Sequence, residues 1–424
     1  MTIKKFLCGT LMFISLMIFT SCTNVPAQDT PVIMRPSPYI NFDFPSLHIN
    51  LPGDPFCDRD VWLTGSMSLT DTHQAYAFYD RSVQVRGRGN TTWFYGQEKR
   101  PLRFRFESEY TMFYSTHAHR NWILLANHFD RAMMRNHGAF ELARTLHGMD
   151  WSPMSVFVHL YINGEYAGVY QLTDERDVGP GRAELTYHEN PRWSGFFIEL
   201  DGHNAEITAG ERTYTIRWPS GNSLTDHHTR YVTDYLQSVS NAIRRHRWGH
   251  IMSLVDIDSF VDFYIVQELW KNQDIGNYSV FMHINGTGRR RRLHMGPVWD
   301  FDQTSGNTDF VSEPEGLLAA RDNYWFRYLM EMPQFQVLVR ERWNEIRHHE
   351  VQNTIDNIAM FGRLYYDAFN RNFERHPYIM GDPFAWNWVE STVTSQLMTF
   401  GEQVDFFVSF LNQRANWLDD FFNA

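Results

Sequence analysis

Cysteine, positive charge and long apolar runs are all scarce in this sequence, and each shortage narrows the possible functions. Only three of the 424 residues are cysteines, and the formal net charge is −11. The acidic balance argues against general nucleic-acid binding, because that binding depends on basic residues that neutralise phosphates. Beyond the N-terminal segment, no stretch is apolar enough to cross a membrane. The 19 histidines show no metal-binding spacing such as His-Glu-x-x-His, so the sequence predicts no zinc site.

The N-terminal segment predicts export and a lipid anchor. Two lysines precede the apolar run Phe6–Phe19, which is shorter than the roughly 20 residues that a membrane span needs. The small residues before Cys22 resemble the lipobox of bacterial lipoproteins. Residues 1–21 are therefore predicted to be a signal peptide, Cys22 the lipid attachment site and residues 22–44 a flexible, lipid-anchored tether. We expect an extracytoplasmic protein anchored to a bacterial membrane, in which Cys57 is the single remaining thiol and no intrachain disulfide can form.

Alternating apolar residues predict a mainly β first half. The cleanest pattern is Leu102–Phe106, in which Arg103 and Arg105 must share one face of a strand. A helix is predicted over residues 130–147, followed by a hairpin around Asn163-Gly164. Further strands are predicted at residues 47–49, 61–63, 83–85 and 195–200.

The second half is predicted to be mainly helical. Helices are expected over residues 229–245 and 256–270, the second capped by Asp256. Later helices are expected over residues 323–331, 333–347, 351–370 and 390–422. A mainly β first lobe with one helix, followed by a helical second lobe, is the coarse plan of protein-kinase-like folds. The predicted fold class is therefore α+β, with two lobes of an atypical kinase-like fold.

Two acidic loops are the most informative feature of the chain. The first, residues 270–277, contains Asp274, and the second, residues 296–302, contains Asp300 and Asp302. A short predicted hairpin joins them. Oxygen ligands of this kind suit Mg²⁺, which usually binds one or two carboxylates together with nucleotide phosphates. Kinases hold their metals with one loop that supplies an Asp and an Asn, and another that supplies an Asp before an aromatic residue.

Purely structural roles exist for several of these residues. Asp-Phe-Asp can cap a strand, and Asn-x-Asp can form a turn. Asp130 is expected to be a helix N-cap, and Arg135 to pair with an acid. The basic run Arg289–Arg292 is expected to be a solvated hairpin tip. Aromatic residues make up 16% of the chain, and large ones such as Trp122 and Trp299 are expected to serve packing.

Several segments occur in the order that characterises a known family. Five carry the likeness, namely Arg88–Trp93 with Lys99–Arg105, Trp122–Asn136, Leu160–Glu175, Asp258–Asp274 and Gly296–Asn307. On these segments the chain resembles the CotH (spore coat protein H) family of kinase-like proteins. The likeness predicts a kinase domain over residues 45–424, with an N-lobe at about 45–202 and a C-lobe at about 225–424.

The resemblance implies an atypical kinase that binds ATP with Mg²⁺ or Mn²⁺ and phosphorylates Ser or Thr of secreted or surface proteins. Asp274 matches the acidic residue of the catalytic loop, and would orient or deprotonate the attacking hydroxyl. Asp300 matches the metal-binding Asp that precedes Phe. Asp302 and Asn277 would be further oxygen ligands near the metals.

Basic residues of the first lobe would hold the nucleotide phosphates. The resemblance implies this role for Arg88, Lys99, Arg103 and Arg105. Arg105 stands where the family often has a second lysine, which leaves Lys99 as the only lysine of this group. The two strand arginines could clamp phosphate bidentately or could equally be solvated.

Two other functions compete with the kinase hypothesis. A non-catalytic surface protein could use the same fold for adhesion or assembly, because fold alone does not establish activity. A carbohydrate-processing enzyme could use the aromatic residues as a sugar cleft, with Asp300 and Asp302 as the carboxyl pair that a glycosidase needs. The acidic loops favour the kinase, whose expected partners are a nucleotide, a Ser- or Thr-containing protein and the membrane, but no nucleic acid.

Overall fold

Seven strands close into a barrel that forms the first part of the fold. The computed structural model describes residues 42–71, 74–96, 98–202, 205–381 and 391–424. The barrel strands are β1 (Ser46–Asn50), β2 (Leu63–Thr70), β3 (Phe78–Gly87), β4 (Leu102–Tyr110), β5 (His119–Leu125), β6 (Ser155–Ile162) and β7 (Glu165–Asp174). Their order is β1-β2-β3-β4-β5-β7-β6, and a parallel pair between β1 and β6 closes the barrel.

The barrel interior is apolar because side chains alternate between the two faces of each strand. Leu47 and Ile49 of β1 are buried there, together with Val83 and Val85 of β3 and Phe104 of β4. The two intervening arginines of β4 share the other face, as the alternation predicts. The Asn-Gly turn between β6 and β7 is confirmed, and both of its residues have positive φ, as this type of turn requires.

Helix α2 (Arg135–Thr145) follows the barrel strand β5 and begins later than predicted. Its N-cap is Met134, so the prediction of Asp130 as N-cap is wrong. The Asp130 carboxylate instead accepts hydrogen bonds from the backbone N–H groups of Ala132 and Arg135. It also pairs with the Arg135 guanidinium at 2.5 Å, which confirms the predicted pairing. Asp130 therefore shapes the turn that leads into the helix. A short helix, α1 (Thr91–Tyr95), lies between β3 and β4.

The two acidic loops flank a hairpin that belongs to a second sheet. Its strands are β8 (Phe196–Leu200), β9 (Ile207–Ala209), β10 (Arg212–Trp218), β11 (Val280–Asn285) and β12 (Arg292–Met295). They are arranged in the order β12-β11-β8-β10-β9. The predicted hairpin between the acidic loops is the antiparallel pair β11–β12. The predicted lobe boundary near residue 202 separates β8 from β11, although these two strands pair directly.

Helices dominate the rest of the chain. They are α3 (Asp226–Arg244), α4 (Trp248–Leu254), α5 (Ile257–Trp270), α6 (Ala319–Asp322), α7 (Tyr324–Leu329), α8 (Pro333–Ile346), α9 (Gln352–Leu364), α10 (Tyr366–Arg375), α11 (Tyr378–Gly381) and α12 (Phe400–Asn423). Helix α5 is central, because every residue except Asp258 is buried, and a helix that is buried on all sides belongs in a core. The predicted cap Asp256 accepts from the Ser259 N–H. A mixed α+β fold with a helical C-terminal part is confirmed, whereas the closed barrel was not predicted.

Besides α2, three predicted elements differ from the observed ones. The strand expected at 61–63 begins only at Leu63, because three alternating residues define too short a pattern to fix a strand end. The helix expected over 351–370 is divided at Tyr365, whose ring stacks on Phe44 at 4.7 Å. The last helix begins at Phe400 rather than at residue 390, where Thr399 and Glu402 form a capping box.

The basic hairpin tip is solvated only in part. Arg289 and Arg290 are exposed, but Arg291 is 5% exposed. The Arg291 guanidinium donates to the carbonyls of Gly286 and Ser194. The prediction of a wholly solvated run is therefore wrong at Arg291, because this side chain supplies hydrogen bonds to loop carbonyls that the sheet leaves unpaired.

The predicted N-terminal signals lie mostly outside the described residues. This holds for the signal peptide, for Cys22 and for most of the tether. Within the described ranges, no helix combines the length and the apolar character that a membrane crossing requires. Cys57 is a free, exposed thiol.

Candidate active site

The hairpin β11–β12 brings the two acidic loops to one place. The first loop leads into β11 at Val280, and the second leaves β12 at Met295. In an antiparallel pair, the start of one strand lies beside the end of the next, and here Met282 pairs with Met295. Both loops therefore emerge at the same end of the hairpin. Their separation along the chain does not keep them apart in space.

The first loop is shaped by its own polar side chains. Helix α5 ends at Trp270, and its C-cap Lys271 has a left-handed backbone with a φ of 50°. The Asn272 side chain then accepts from the Asp274 N–H at 3.0 Å and begins a short 3₁₀ turn. Asn277 ends this turn, with its N–H bonded to the Asp274 carbonyl and its side chain exposed. This turn fixes the backbone of Asp274.

Direct hydrogen bonds join the two loops at Asp300. The Ser279 hydroxyl donates to Asp300 Oδ2 at 2.8 Å. The Asn272 amide donates to the Asp300 carbonyl at 3.3 Å. Asp300 itself has a φ of 65°, a conformation that non-glycine residues rarely adopt and that is often found at functional sites. Ser279 and Asn272 belong to the site, although neither was predicted there.

The start of α2 positions the second loop from the opposite side. The Asn136 side chain accepts from the Phe301 N–H at 2.7 Å. The Arg135 guanidinium donates to the Thr304 carbonyl at 3.0 Å. The Asn307 amide donates to the Asp302 carbonyl at 2.6 Å. Buried polar groups of this kind are costly unless they are paired, so these bonds define one conformation of the loop.

Electrostatic interactions link the three predicted carboxylates. Burial, with the negative charge of Asp300, raises the pKa of Asp274 to about 7. The pKa of Asp302 lies well above its usual value because of burial, and because Asp300, Asp274 and Asp130 are near. A neighbouring like charge has this effect on a pKa when it lies close by. The structure thus brings Asp274, Asp300 and Asp302 together, and their roles in catalysis and metal binding stay a prediction.

Arg88 is the predicted phosphate-binding residue that lies beside this cluster. Burial and the neighbouring Arg176 lower the pKa of Arg88 to about 10, whereas Glu175 and Asp300 act in the opposite direction. The Arg88 guanidinium lies 5.8 Å from the ring centre of Trp299, and Arg176 lies 4.4 Å from the same ring. Trp299 is itself buried. Arg176 was missed by sequence reasoning, because nothing in its local pattern distinguishes it from a surface arginine.

Glu175 sits at the centre of the basic residues. It pairs with the predicted residue Arg103 at 3.0 Å. Burial alone would raise the pKa of Glu175, but Arg103, Arg176, Arg88 and other nearby arginines hold it below its usual value. The sequence analysis assigned no role to Glu175, which it named only as the last residue of the segment Leu160–Glu175. Its position at the end of β7 places a buried negative charge among cations.

Lys99 and Arg105 lie differently from Arg88. Lys99 is completely buried, and its Nζ donates to the Ala126 carbonyl at 2.5 Å. Burial holds the pKa of Lys99 well below its usual value, and Asp130 opposes this effect. The Arg105 side chain donates to Gln84 at 2.7 Å and lies over the Trp62 ring at 4.3 Å. Phosphate binding by these two residues stays a prediction.

Carboxylates gathered beside arginines at the end of a hairpin define a class of site suited to phosphate groups and divalent cations. The particular family follows from comparison with known proteins. The family model described as CotH kinase protein matches residues 84–418, which is more than half of the chain. The chain therefore belongs to the CotH kinase protein family, a family of kinase-like proteins. A comparison with curated proteins gives no match.

Proposed function

We propose that this protein is an extracytoplasmic atypical kinase that transfers phosphate from ATP to Ser or Thr of other proteins. The convergence of Asp274, Asp300 and Asp302 beside Arg88 carries the proposal. In this proposal the barrel and the helical part act as the two lobes of a kinase-like fold. Membership of the CotH kinase protein family supports the assignment.

The carboxylate cluster fits a hard divalent cation. Asp300 contributes to the raised pKa of both Asp274 and Asp302. A positive ion would stabilise this gathered negative charge, and Mg²⁺ and Mn²⁺ prefer oxygen ligands. Asp300 and Asp302 would hold the metal, and the exposed Asn277 could add an oxygen. The bound metal would neutralise phosphate charge as it develops during transfer.

Asp274 would position the protein hydroxyl that receives the phosphate. Transfer forms a bond between the hydroxyl oxygen and the γ-phosphorus, and breaks the bond from that phosphorus to the bridging oxygen. The hydroxyl proton would pass to the Asp274 carboxylate. The turn that fixes the Asp274 backbone keeps this carboxylate in place beside Asp300, and such positioning lowers the entropic part of the barrier.

Phosphate groups would be held by the basic residues next to Glu175. Arg88 interacts electrostatically with Asp300 of the acidic cluster. Arg176 and Arg103 share Glu175 as a partner, so their planar guanidinium groups are already oriented before a ligand arrives. Arginine suits phosphate because its donors match two oxygens at once.

The proposed location follows from the N-terminal pattern. Cys22 would carry the lipid anchor after removal of residues 1–21, on the outer face of a bacterial membrane. A protein substrate there would be secreted or bound to the surface. The lipid, the anchor and the substrate all belong to the proposal.

The test uses the full chain purified in detergent. It is incubated with labelled ATP, Mg²⁺ or Mn²⁺, and a generic protein acceptor. We expect phosphate transfer, and a higher melting temperature when nucleotide and metal are both present. Asp300→Ala should abolish that shift, because the metal loses a central carboxylate. Asp274→Asn should remove transfer and keep most of the nucleotide-dependent shift.

The matched control is Asp420→Asn, which changes an exposed carboxylate of α12 and should behave as wild type. A thermal shift without any transfer would support the competing function of a non-catalytic surface protein that has kept a nucleotide site. An Asp300→Ala variant with an unchanged shift would show that nucleotide binds elsewhere, and the proposed site would be wrong.

A further inference from the structure

Two histidines and an aspartate meet at a place that the proposed kinase chemistry does not use. His283 of β11 and His294 of β12 are direct partners in the antiparallel register. Their rings are stacked, with centroids 4.9 Å apart and planes inclined by 9°. Asp150 reaches them from the segment that follows α2. Three separate parts of the chain thus contribute one polar side chain each.

The distances within this group suit a small metal ion. Asp150 Oδ2 lies 2.7 Å from His283 Nε2 and 3.3 Å from His294 Nδ1. One ligand atom from each of the three residues lies within 4.8 Å of the other two. A tetrahedral ion with bonds of about 2.0–2.1 Å needs ligand atoms roughly 3.3 Å apart. To surround an ion, the two stacked rings must tilt so that a nitrogen of each points at it, and the ligand atoms must move closer together.

We propose that Asp150, His283 and His294 form a second metal site, separate from the acidic loops, that binds a transition metal such as Zn²⁺. Two imidazoles and a single carboxylate suit zinc, whereas Mg²⁺ and Ca²⁺ prefer sets of oxygen atoms. The two sites should therefore prefer different metals, because the acidic loops offer only oxygen ligands. Three protein ligands also leave a fourth position for water.

A second observation points to the same group. The His294 Nδ1 atom, which lies 3.3 Å from Asp150 Oδ2, is buried and has no hydrogen-bond partner among the residues that the structure describes. Buried polar atoms are normally paired, so the protein leaves this potential ligand atom unsatisfied. The Asp150 side chain is 46% exposed and that of His294 is 18% exposed. An ion can therefore enter from solvent past Asp150.

The position of the site predicts an effect on stability. Zinc would connect both strands of the hairpin that carries the acidic loops to the segment after α2. Because the unfolded chain lacks this arrangement, zinc binding should stabilise the folded protein. Binding should raise the melting temperature even when no nucleotide is present.

The test starts from full-length protein stripped with a chelator and then supplied with excess Mg²⁺, which occupies oxygen-ligand sites. Zinc bound after dialysis is measured by elemental analysis, and Co²⁺ serves as a spectroscopic probe of coordination number. We expect one zinc ion bound per chain and a raised melting temperature. The Co²⁺ spectrum should be that of an ion with four or five ligands. Asp150→Asn and His294→Ala should each weaken zinc binding by more than the roughly 10–100-fold that loss of an outer-shell partner costs.

Asp150 is chosen because an exposed side chain tolerates substitution, and folding of each variant is checked by circular dichroism in chelator. His227→Ala changes an exposed histidine of α3 and should leave zinc binding intact. Asp300→Ala should also keep it. Zinc uptake that is unaffected by Asp150→Asn and His294→Ala, or that disappears only with Asp300→Ala, would overturn the proposal. If the protein binds no zinc at an equimolar concentration, the proposal is also wrong, and Asp150 and His283 form only an ordinary Asp–His pair.

Discussion

Asp300 is held at both its backbone and its side chain. Its left-handed backbone, with a φ of 65°, needs support from neighbours. Asn272 supplies that support at the carbonyl, and Ser279 holds the carboxylate oxygen at 2.8 Å. One carboxylate oxygen is thus oriented by the protein, which prepares the other for a ligand.

Ser279→Ala tests this orientation. We expect the metal affinity measured by titration to fall roughly 10–100-fold, as for the loss of other outer-shell partners. The free energy of unfolding should change by only about 0.5–1.5 kcal/mol, which is typical of one hydrogen bond. Ser253→Ala removes a similar hydroxyl bond, to the His250 carbonyl, and should leave metal affinity unchanged. If the two substitutions change the metal affinity equally, Ser279 has no specific role at the site.

Glu268 is the buried charge on which the central helix depends. Its side chain and that of Arg414 are completely buried and lie 3.1 Å apart. The Glu268 carboxylate also accepts from the N–H groups of Leu318 and Ala320. Glu268 therefore joins α5 to α12 and to the start of α6.

Glu268→Ala should lower the free energy of unfolding by about 3–5 kcal/mol, because Arg414 would become an unpaired buried charge. Denaturant unfolding measures this loss. Glu341→Ala, at an exposed position of α8, is the control and should stay within about 0.5 kcal/mol of wild type. A loss below 1 kcal/mol for Glu268→Ala would mean that the pair adds little.

At the scale of elements, close backbone approach fixes the barrel. Strand β2 passes so near β1 that a Cβ atom on Gly65 would lie 1.9 Å from the Asn50 carbonyl oxygen. A backbone oxygen cannot turn aside as a flexible side chain can. The absence of a side chain at this residue therefore sets the spacing between the first two strands.

Gly65→Ala should destabilise the protein by about 1–3 kcal/mol, the usual range for overpacking. Gly249 of α4 is the matched control, because nothing lies within 4 Å of a Cβ atom added there. Gly249→Ala should stabilise by roughly 0.5–1 kcal/mol, since alanine favours a helix more than glycine does. Thermal and denaturant unfolding measure both changes. If Gly65→Ala and Gly249→Ala change the free energy of unfolding in the same direction, the steric explanation is wrong.

At the scale of the whole molecule, buried basic groups lie where the barrel meets the helices. Lys99, His128 and His376 interact electrostatically. Burial, with Lys99 and His376 nearby, lowers the pKa of His128 to about 3. Burial and Lys99 lower the pKa of His376 to about 4. His376 also bonds the Ala167 carbonyl of β7 through Nε2 at 2.9 Å, so it holds α10 against the barrel.

Acid should therefore weaken the contact between barrel and helices. Both histidines are neutral when folded, and their ordinary pKa is 6.5. Below that pH the unfolded chain binds more protons than the folded one, so stability falls as pH drops from 6.5 towards 4. The loss should reach roughly 2 kcal/mol for each histidine at pH 5. Denaturant unfolding between pH 7.5 and 5 measures it.

His376→Gln keeps a donor for the Ala167 carbonyl but does not titrate, and should reduce this pH dependence. The exposed His227→Gln is the control and should keep it. A pH dependence that is the same in wild type and in His376→Gln would rule out His376 as a source of acid sensitivity.

Much of this architecture could be predicted from local patterns. The Asn-Gly hairpin, the cap Asp256 and the existence of helix α5 were predicted because turn, cap and periodicity signals act over a few residues. The burial of α5 on all sides was not predicted. The acidic loops were recognisable for the same reason, since each is a short run of oxygen-bearing side chains. The Thr399–Glu402 capping box was equally local, although the predicted helix started before it.

The sequence by itself determined many of the helices and strands and the residue types that the acidic loops present. Only the tertiary structure decided that β1 and β6 close a barrel, that Arg176 and Glu175 join Arg88, and that His283 meets His294 and Asp150. These outcomes depend on strand register and on contacts between distant segments. Such contacts form only when many elements bury their apolar faces together, so a window of neighbouring residues does not contain them.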